Sequence, residues 1–125
     1  MMNLEDEIRS TNHSREKRNY FANLILQNPD LLPQLLEICH LTDDEISCKA
    51  SWGLEFLCKK NLEAMLPYLD TFIALLPKVY QDPAVRPVAK ICEYLMLAYY
   101  KDKSPEVKKY ITLSHREKIT EACFD

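Results

Sequence analysis

One glycine, Gly53, occurs in the 125 residues of this chain. Glycine alone takes positive φ without steric cost, so tight two-residue hairpins and phosphate-cradling loops both lean on it. A chain with a single glycine is poorly equipped to build either. The scarcity argues against β architecture and removes any glycine-rich nucleotide loop. The expectation is an all-α fold.

The rest of the composition fits one small folded domain spanning 1–125. Hydrophobic residues make up 47% and charged residues 28%, a balance that supports a packed core rather than disorder. The net charge of −3 gives no general drive toward nucleic acid or acidic membranes. The five cysteines (Cys39, Cys48, Cys58, Cys92 and Cys123) are odd in number and form no CxxC. They read as reduced, buried thiols acting as small hydrophobes. The opening MMNLEDEIRS lacks the apolar segment of a signal peptide, and no apolar run approaches the ~20 residues that span a bilayer. These features lead to the expectation of a soluble cytoplasmic protein with no membrane partner.

Helical periodicity recurs along the chain. Residues 4–11 suit a short amphipathic turn or helix, followed by a break at Asn12, His13 and Ser14. Phe21, Leu24 and Ile25 mark a helix from Ser14 to Gln27. Asn28-Pro29-Asp30 reads as the start of the next helix, with Asn28 as cap and Pro29 at its first position. Asp43 or Asp44 caps a longer helix to about Lys60. Asn61 opens another, running through MLPYLDTFIALLPKVY. Asp82-Pro83 starts one to about Tyr100, in which Pro87 predicts a local bend. KDKSPEVKK reads as a polar linker, with or without one helical turn after Ser104-Pro105. Ser114 and Glu117 match a capping box opening a final helix, with Ile119, Ala122 and Cys123 apolar. That helix has an apolar face and nothing after it to cover it, so the natural protein is expected to continue beyond Asp125. About six to seven helices are expected.

The helices repeat in pairs. NPDLLPQLLEIC followed by DDEISCKASWGLEFL compares with AMLPYLDTFIALLP followed by DPAVRPVAKICEYL. Each pair is a hairpin of about 40 residues, within the range of HEAT and armadillo repeats. The segment Asp82-Pro83-Ala84-Val85-Arg86, with Ala89 and Leu95, resembles the second helix of a HEAT repeat. In the earlier copy Ile46 and Ala50 match Val85 and Ala89, while Ser47 replaces the arginine. The resemblance implies an α-α superhelix: capping helices in 1–27, a first repeat in 28–60, a second in 61–100, a linker in 101–113, and the first helix of an incomplete third repeat in 114–125. It also implies that Arg86 is an inter-repeat strut pairing with Asp82 or Asp43.

A solenoid helix must pack on its own partner and on neighbouring repeats. The helix ending near Lys60 fits, because Ile46, Ala50, Leu54 and Leu57 form one face while Trp52 and Phe56 point away from it. Glu55 and Glu93 occupy corresponding helices, and Arg86, Lys90 and Glu93 share one face at spacings of four and three. Trp52, Glu55, Arg86, Lys90 and Glu93 are therefore the candidate interaction residues.

No catalytic or cofactor-binding residue stands out. His13, His40 and His115 are far apart, and adjacent Cys39 and His40 diverge on a helix, so no metal site is read. HEAT-like DNA glycosylases need a basic concave surface, whereas residues 19–100 hold ten acids against six bases. Nucleic acid is disfavoured. With HSREKRNYFANLILQNPDLLPQLL, ISCKASWGLEFLC and AVRPVAKICEYL, the chain also resembles a group of short bacterial HEAT-like proteins that carry the label adenylosuccinate lyase. That label implies elimination of fumarate by a general base and a general acid. The serine-rich lyase signature, roughly SSxMPxKxN, has no counterpart, and no catalytic residue is carried over. The leading expectation is a non-enzymatic scaffold without cofactor, binding an unknown protein or peptide along one helical face.

Overall fold

The computed structural model describes residues 4–10 and 14–124, the side chains of 123 and 124 excepted. Among these residues there is no strand. The helices are α1 (Leu4–Ser10), α2 (Arg15–Gln27), α3 (Leu31–Cys39), α4 (Glu45–Lys60), α5 (Leu69–Leu75), α6 (Asp82–Tyr100), α7 (Pro105–Tyr110) and α8 (Leu113–Phe124), with a 3₁₀ stretch, Leu62–Tyr68, ahead of α5. No helix among the described residues is long and apolar enough to cross a membrane.

Helix starts follow side-chain chemistry. The Ser14 hydroxyl accepts from the Lys17 amide and opens α2. Asn12 and His13, expected in the same break, lie outside the described residues. Of the two aspartates before α4, Asp44 is the cap, its Oδ1 accepting from the Ile46 amide at 3.0 Å. Asp43 is thereby left for another partner, the Tyr80 hydroxyl, which donates to its Oδ1 at 2.8 Å.

Three expected boundaries differ. Asn28 closes α2 rather than opening α3: its side-chain amide donates to the Leu24 carbonyl at 2.9 Å. The segment after Asn61 is not one helix. Pro67 has no N–H to give the Glu63 carbonyl and its ring crowds that turn, so the chain winds as 3₁₀ through Tyr68 before α5 begins. The cap of α8 lies two residues earlier than Ser114. Thr112 Oγ1 accepts from the His115 amide at 3.2 Å, and His115 Nδ1 accepts from the Thr112 amide at 3.1 Å. This is a reciprocal box with histidine in the glutamate position, and it keeps Ile111 buried just before the cap.

The stretch 101–113 also carries structure. Ser104 caps α7, and Val107 and Ile111 are buried in the common core. The turn into it contains Lys103, the one non-glycine residue at positive φ among those described.

α4 sits at the centre, packed against α1, α2, α3 and α6. Ile46, Ala50, Leu54 and Leu57 face inward from it, as expected. The ring of Phe21 on α2 lies directly against the bare backbone of Gly53. The chain's one glycine thus serves close helix packing, not a turn. α6 runs unbroken through Pro87 and buries Ala84, Val88, Ile91, Cys92 and Leu95. The residues that carried the repeat resemblance divide. Ile46, Ala50 and Leu95 are in the core, while Val85 (39% exposed) and Ala89 face solvent. The reason lies in their neighbours. α4 is enclosed by four helices, whereas α8 meets α6 around Tyr99 and Tyr100, more than two turns from Val85 and Ala89.

The two long hairpins are tied at one end. Gln81 Nε2 donates to the Thr42 carbonyl at 2.6 Å, beside the Tyr80–Asp43 bond. His40 Nε2 donates to the Thr71 carbonyl at 2.9 Å, and its Nδ1 accepts from Lys78 Nζ at 3.4 Å.

Candidate functional site

α2, α4 and α6 together bring most of the candidate residues onto one face. Trp52 and Phe56 project from adjacent turns of α4 and are half-buried. Over both lies the guanidinium of Arg18 from α2, 5.6 Å from the Trp52 ring centroid and 5.1 Å from that of Phe56. A cation over an aromatic face is drawn by the ring quadrupole, and arginine adds planar stacking. The stack buries Arg18 Nε without giving it a hydrogen-bond partner. No carboxylate among the described residues lies within ion-pair distance of Arg18.

Toward α6, Glu55 is half-buried next to Tyr94. Burial raises its pKa above the ordinary glutamate range, against the pull of Lys59, Arg18 and Lys90. The Tyr94 phenol is raised in turn, by burial first and then by the Glu55 and Glu93 charges. Lys90 Nζ lies 3.7 Å from Glu93 Oε2, an exposed pair one turn apart on α6. Lys60 Nζ reaches back to Asn23 Oδ1 on α2 at 3.3 Å. Cations from three helices therefore surround one half-buried carboxylate.

Trp52, Glu55, Lys90 and Glu93 thus converge. Arg86 does not join them by any contact. It is exposed on α6 and forms no ion pair with Asp82 or Asp43. The strut to Asp43 is replaced by the Tyr80 bond, and none forms to Asp82. The residue that sequence reasoning missed is Arg18. Its signal was its position: it lies three and four residues before Phe21 and Ala22, extending the stripe that runs through them to Ile25. A cation on an apolar stripe at the end of a helix has its aliphatic stem to pack and its head group to place.

Away from this face, a concavity of about 950 Å³ lies between α5 and α8. Its polar feature is His115, whose Nε2 donates to Asp70 Oδ1 at 2.6 Å. The other ring nitrogen accepts from the Thr112 amide. Both nitrogens are committed to holding α8, leaving no lone pair for base chemistry although Ser114 is adjacent. Cys39, Cys58 and Cys92 are similarly placed for packing, whereas Cys48, expected to be buried, is half-buried, and the side chain of Cys123 lies outside the described residues. Burial pushes Cys39 up to about 12 and raises Cys58 as well. Among the described residues no group of three or more His, Cys, Asp or Glu side chains is placed to hold a metal ion.

Comparison with protein-family models, with curated proteins and with solved structures finds no match to this chain.

Proposed function

We propose that the chain is a HEAT-like helical scaffold without chemistry of its own, binding a protein or peptide along the face made by α2, α4 and α6. The observation that carries this reading is the Arg18 stack on Trp52 and Phe56. Tryptophan and arginine are the side chains most often found where binding energy concentrates, and here they are already held in place before any partner arrives. The superhelical part of the proposal draws support from α4, which is apolar toward its own hairpin and aromatic on the side away from it. It draws further support from the ties between the loops at 40–44 and 76–81, which set two hairpins side by side.

The test is a set of capture experiments with paired variants. Phe56→Ala and Lys90→Glu alter the face, whereas Lys101→Glu alters an exposed position beyond α6. A partner retained by the wild type and by Lys101→Glu but lost from both face variants supports the reading. A partner insensitive to the face variants overturns it. So does turnover of adenylosuccinate by the purified chain at an enzymatic rate, on the order of 1–10³ per second.

A further inference from the structure

The chemistry of the same face points to what it grips. This step rests on the reading of the α2–α4–α6 face as a docking surface and adds the identity of its ligand.

The chain as a whole is acidic, with a net charge of −3. The face has the opposite balance. Arg18, Lys59, Lys60 and Lys90 are carried there by three helices, against Glu55 and Glu93. Each acid is already engaged: Glu93 lies 3.7 Å from Lys90, and Glu55 is turned into the protein beside Tyr94. Arg18 has no carboxylate within ion-pair distance among the described residues, with Glu55 acting on it only at longer range, and it is pinned in place by two rings. Pinning removes the conformational entropy that a free arginine loses on binding. A planar guanidinium with unspent N–H groups matches a carboxylate in two-pronged fashion, and charge-assisted pairs of this kind are the strong ones.

We infer that this face receives an acidic polypeptide segment, one of whose carboxylates is clamped by Arg18 while Lys59 and Lys90 flank the neighbouring acids. The aromatic pair beneath Arg18 serves as the platform that holds the clamp, and it also offers apolar edges to the segment's own side chains.

The single tryptophan makes the test direct, because Trp52 lies under Arg18 and no other indole contributes to emission. Hexaglutamate is titrated into the full chain while Trp52 fluorescence is followed. A saturable change is expected, weakening as salt is raised toward 0.5 M, roughly the range where screening acts within a few Å. Arg18→Gln is expected to weaken binding about tenfold or more, and Arg18→Lys by less, since charge survives but the fork does not. Circular dichroism confirms that each variant is folded. Should Arg18→Gln not fold, the Lys59→Gln/Lys90→Gln double variant makes the same test, with weaker binding expected.

The inference is overturned by equal affinity in the folded Arg18→Gln variant. It is overturned equally if inorganic phosphate or oligothymidylate binds as tightly as hexaglutamate. If hexaglutamate leaves Trp52 unmoved while partner capture still depends on Phe56 and Lys90, the acidic specificity falls and the docking face stands. If capture is also indifferent to Phe56 and Lys90, both fall.

Discussion

The ring of Phe21 occupies the space in which a side chain at Gly53 would begin: a Cβ there would stand 2.5 Å from Phe21 Cε1 and 2.9 Å from Cδ1. Phe21 is only 2% exposed, so its ring has no solvent to retreat into. Gly53→Ala gains about 1 kcal/mol of helix propensity. It loses more, because overpacking a close helix crossing costs about 1–3 kcal/mol and Phe21 must shift against its neighbours. A net destabilisation of about 1 kcal/mol is expected in urea unfolding. In the Gly53→Ala/Phe21→Leu double variant the combined loss should be smaller than the sum of the single losses, since the smaller side chain vacates the contact.

Lys103 is the converse case, a position that wants glycine and lacks it. Its φ of 50° lies in the left-handed region, where a Cβ is crowded. The Ser104 amide reaches back past it to the Ala98 carbonyl at 2.9 Å, ending α6. Lys103→Gly is expected to stabilise by about 0.5–1 kcal/mol after the added freedom of the unfolded chain is subtracted. A thermal melt should shift upward by about 2–4 °C.

Glu55 gives the face a pH signature. Its pKa is raised in the folded chain, chiefly by burial, so the folded state holds its proton more tightly than the unfolded state. The contribution of Glu55 to stability should therefore be greatest below the ordinary glutamate range and fall as pH rises through the window between the unfolded and the raised folded value. The slope is small, well under about 1 kcal/mol in total, because the carboxylate is partly exposed and screened. Glu55→Gln should flatten it. Urea titrations of both proteins across pH 4–7, roughly the range that brackets a raised glutamate, make the comparison.

The start of α8 separates two readings of the same residues. If Thr112 is the cap, Thr112→Ala should cost about 1 kcal/mol, whereas Ser114→Ala should stay within about 0.5 kcal/mol. The reverse order would restore the S-x-x-E box expected from sequence.

Helix positions were legible wherever periodicity and a cap agreed. Ser14 and Asp44 each precede an apolar stripe and each cap a helix, whereas α7, capped by Ser104, was read as linker because Val107 is its one buried residue. Boundaries failed where proline chemistry has two solutions. Pro29 is as compatible with a turn after a helix as with the first position of one, and Asn28 caps C-termini as readily as N-termini. Pro67 sits only six residues past Asn61, where winding as 3₁₀ costs little and periodicity cannot distinguish it from α.

The face was half legible. Trp52 and Phe56 declared themselves by pointing away from the apolar stripe of α4, because direction on a helix follows from residue number. Arg18 showed only its place on the α2 stripe, since its aromatic partners are reached through the crossing of α2 over α4 and no local pattern names them. Arg86 was read from a repeat pattern; of its two expected carboxylates, Asp43 was captured by Tyr80 from a different loop and Asp82 forms no ion pair with it. Side-chain pairing of that kind depends on which of several acids is nearest in space, a property of the assembled fold.

The ties between the loops at 40–44 and 76–81 have a mechanical consequence. The bonds of Gln81 to Thr42 and Tyr80 to Asp43 join the two loops, and that of His40 to Thr71 joins the first loop to α5. A load that separates the hairpins is shared among them, so they yield together instead of opening in succession. Two hairpins joined in this way act as one lever. A tug on α4 is felt at α6 without waiting for the chain between them to stretch.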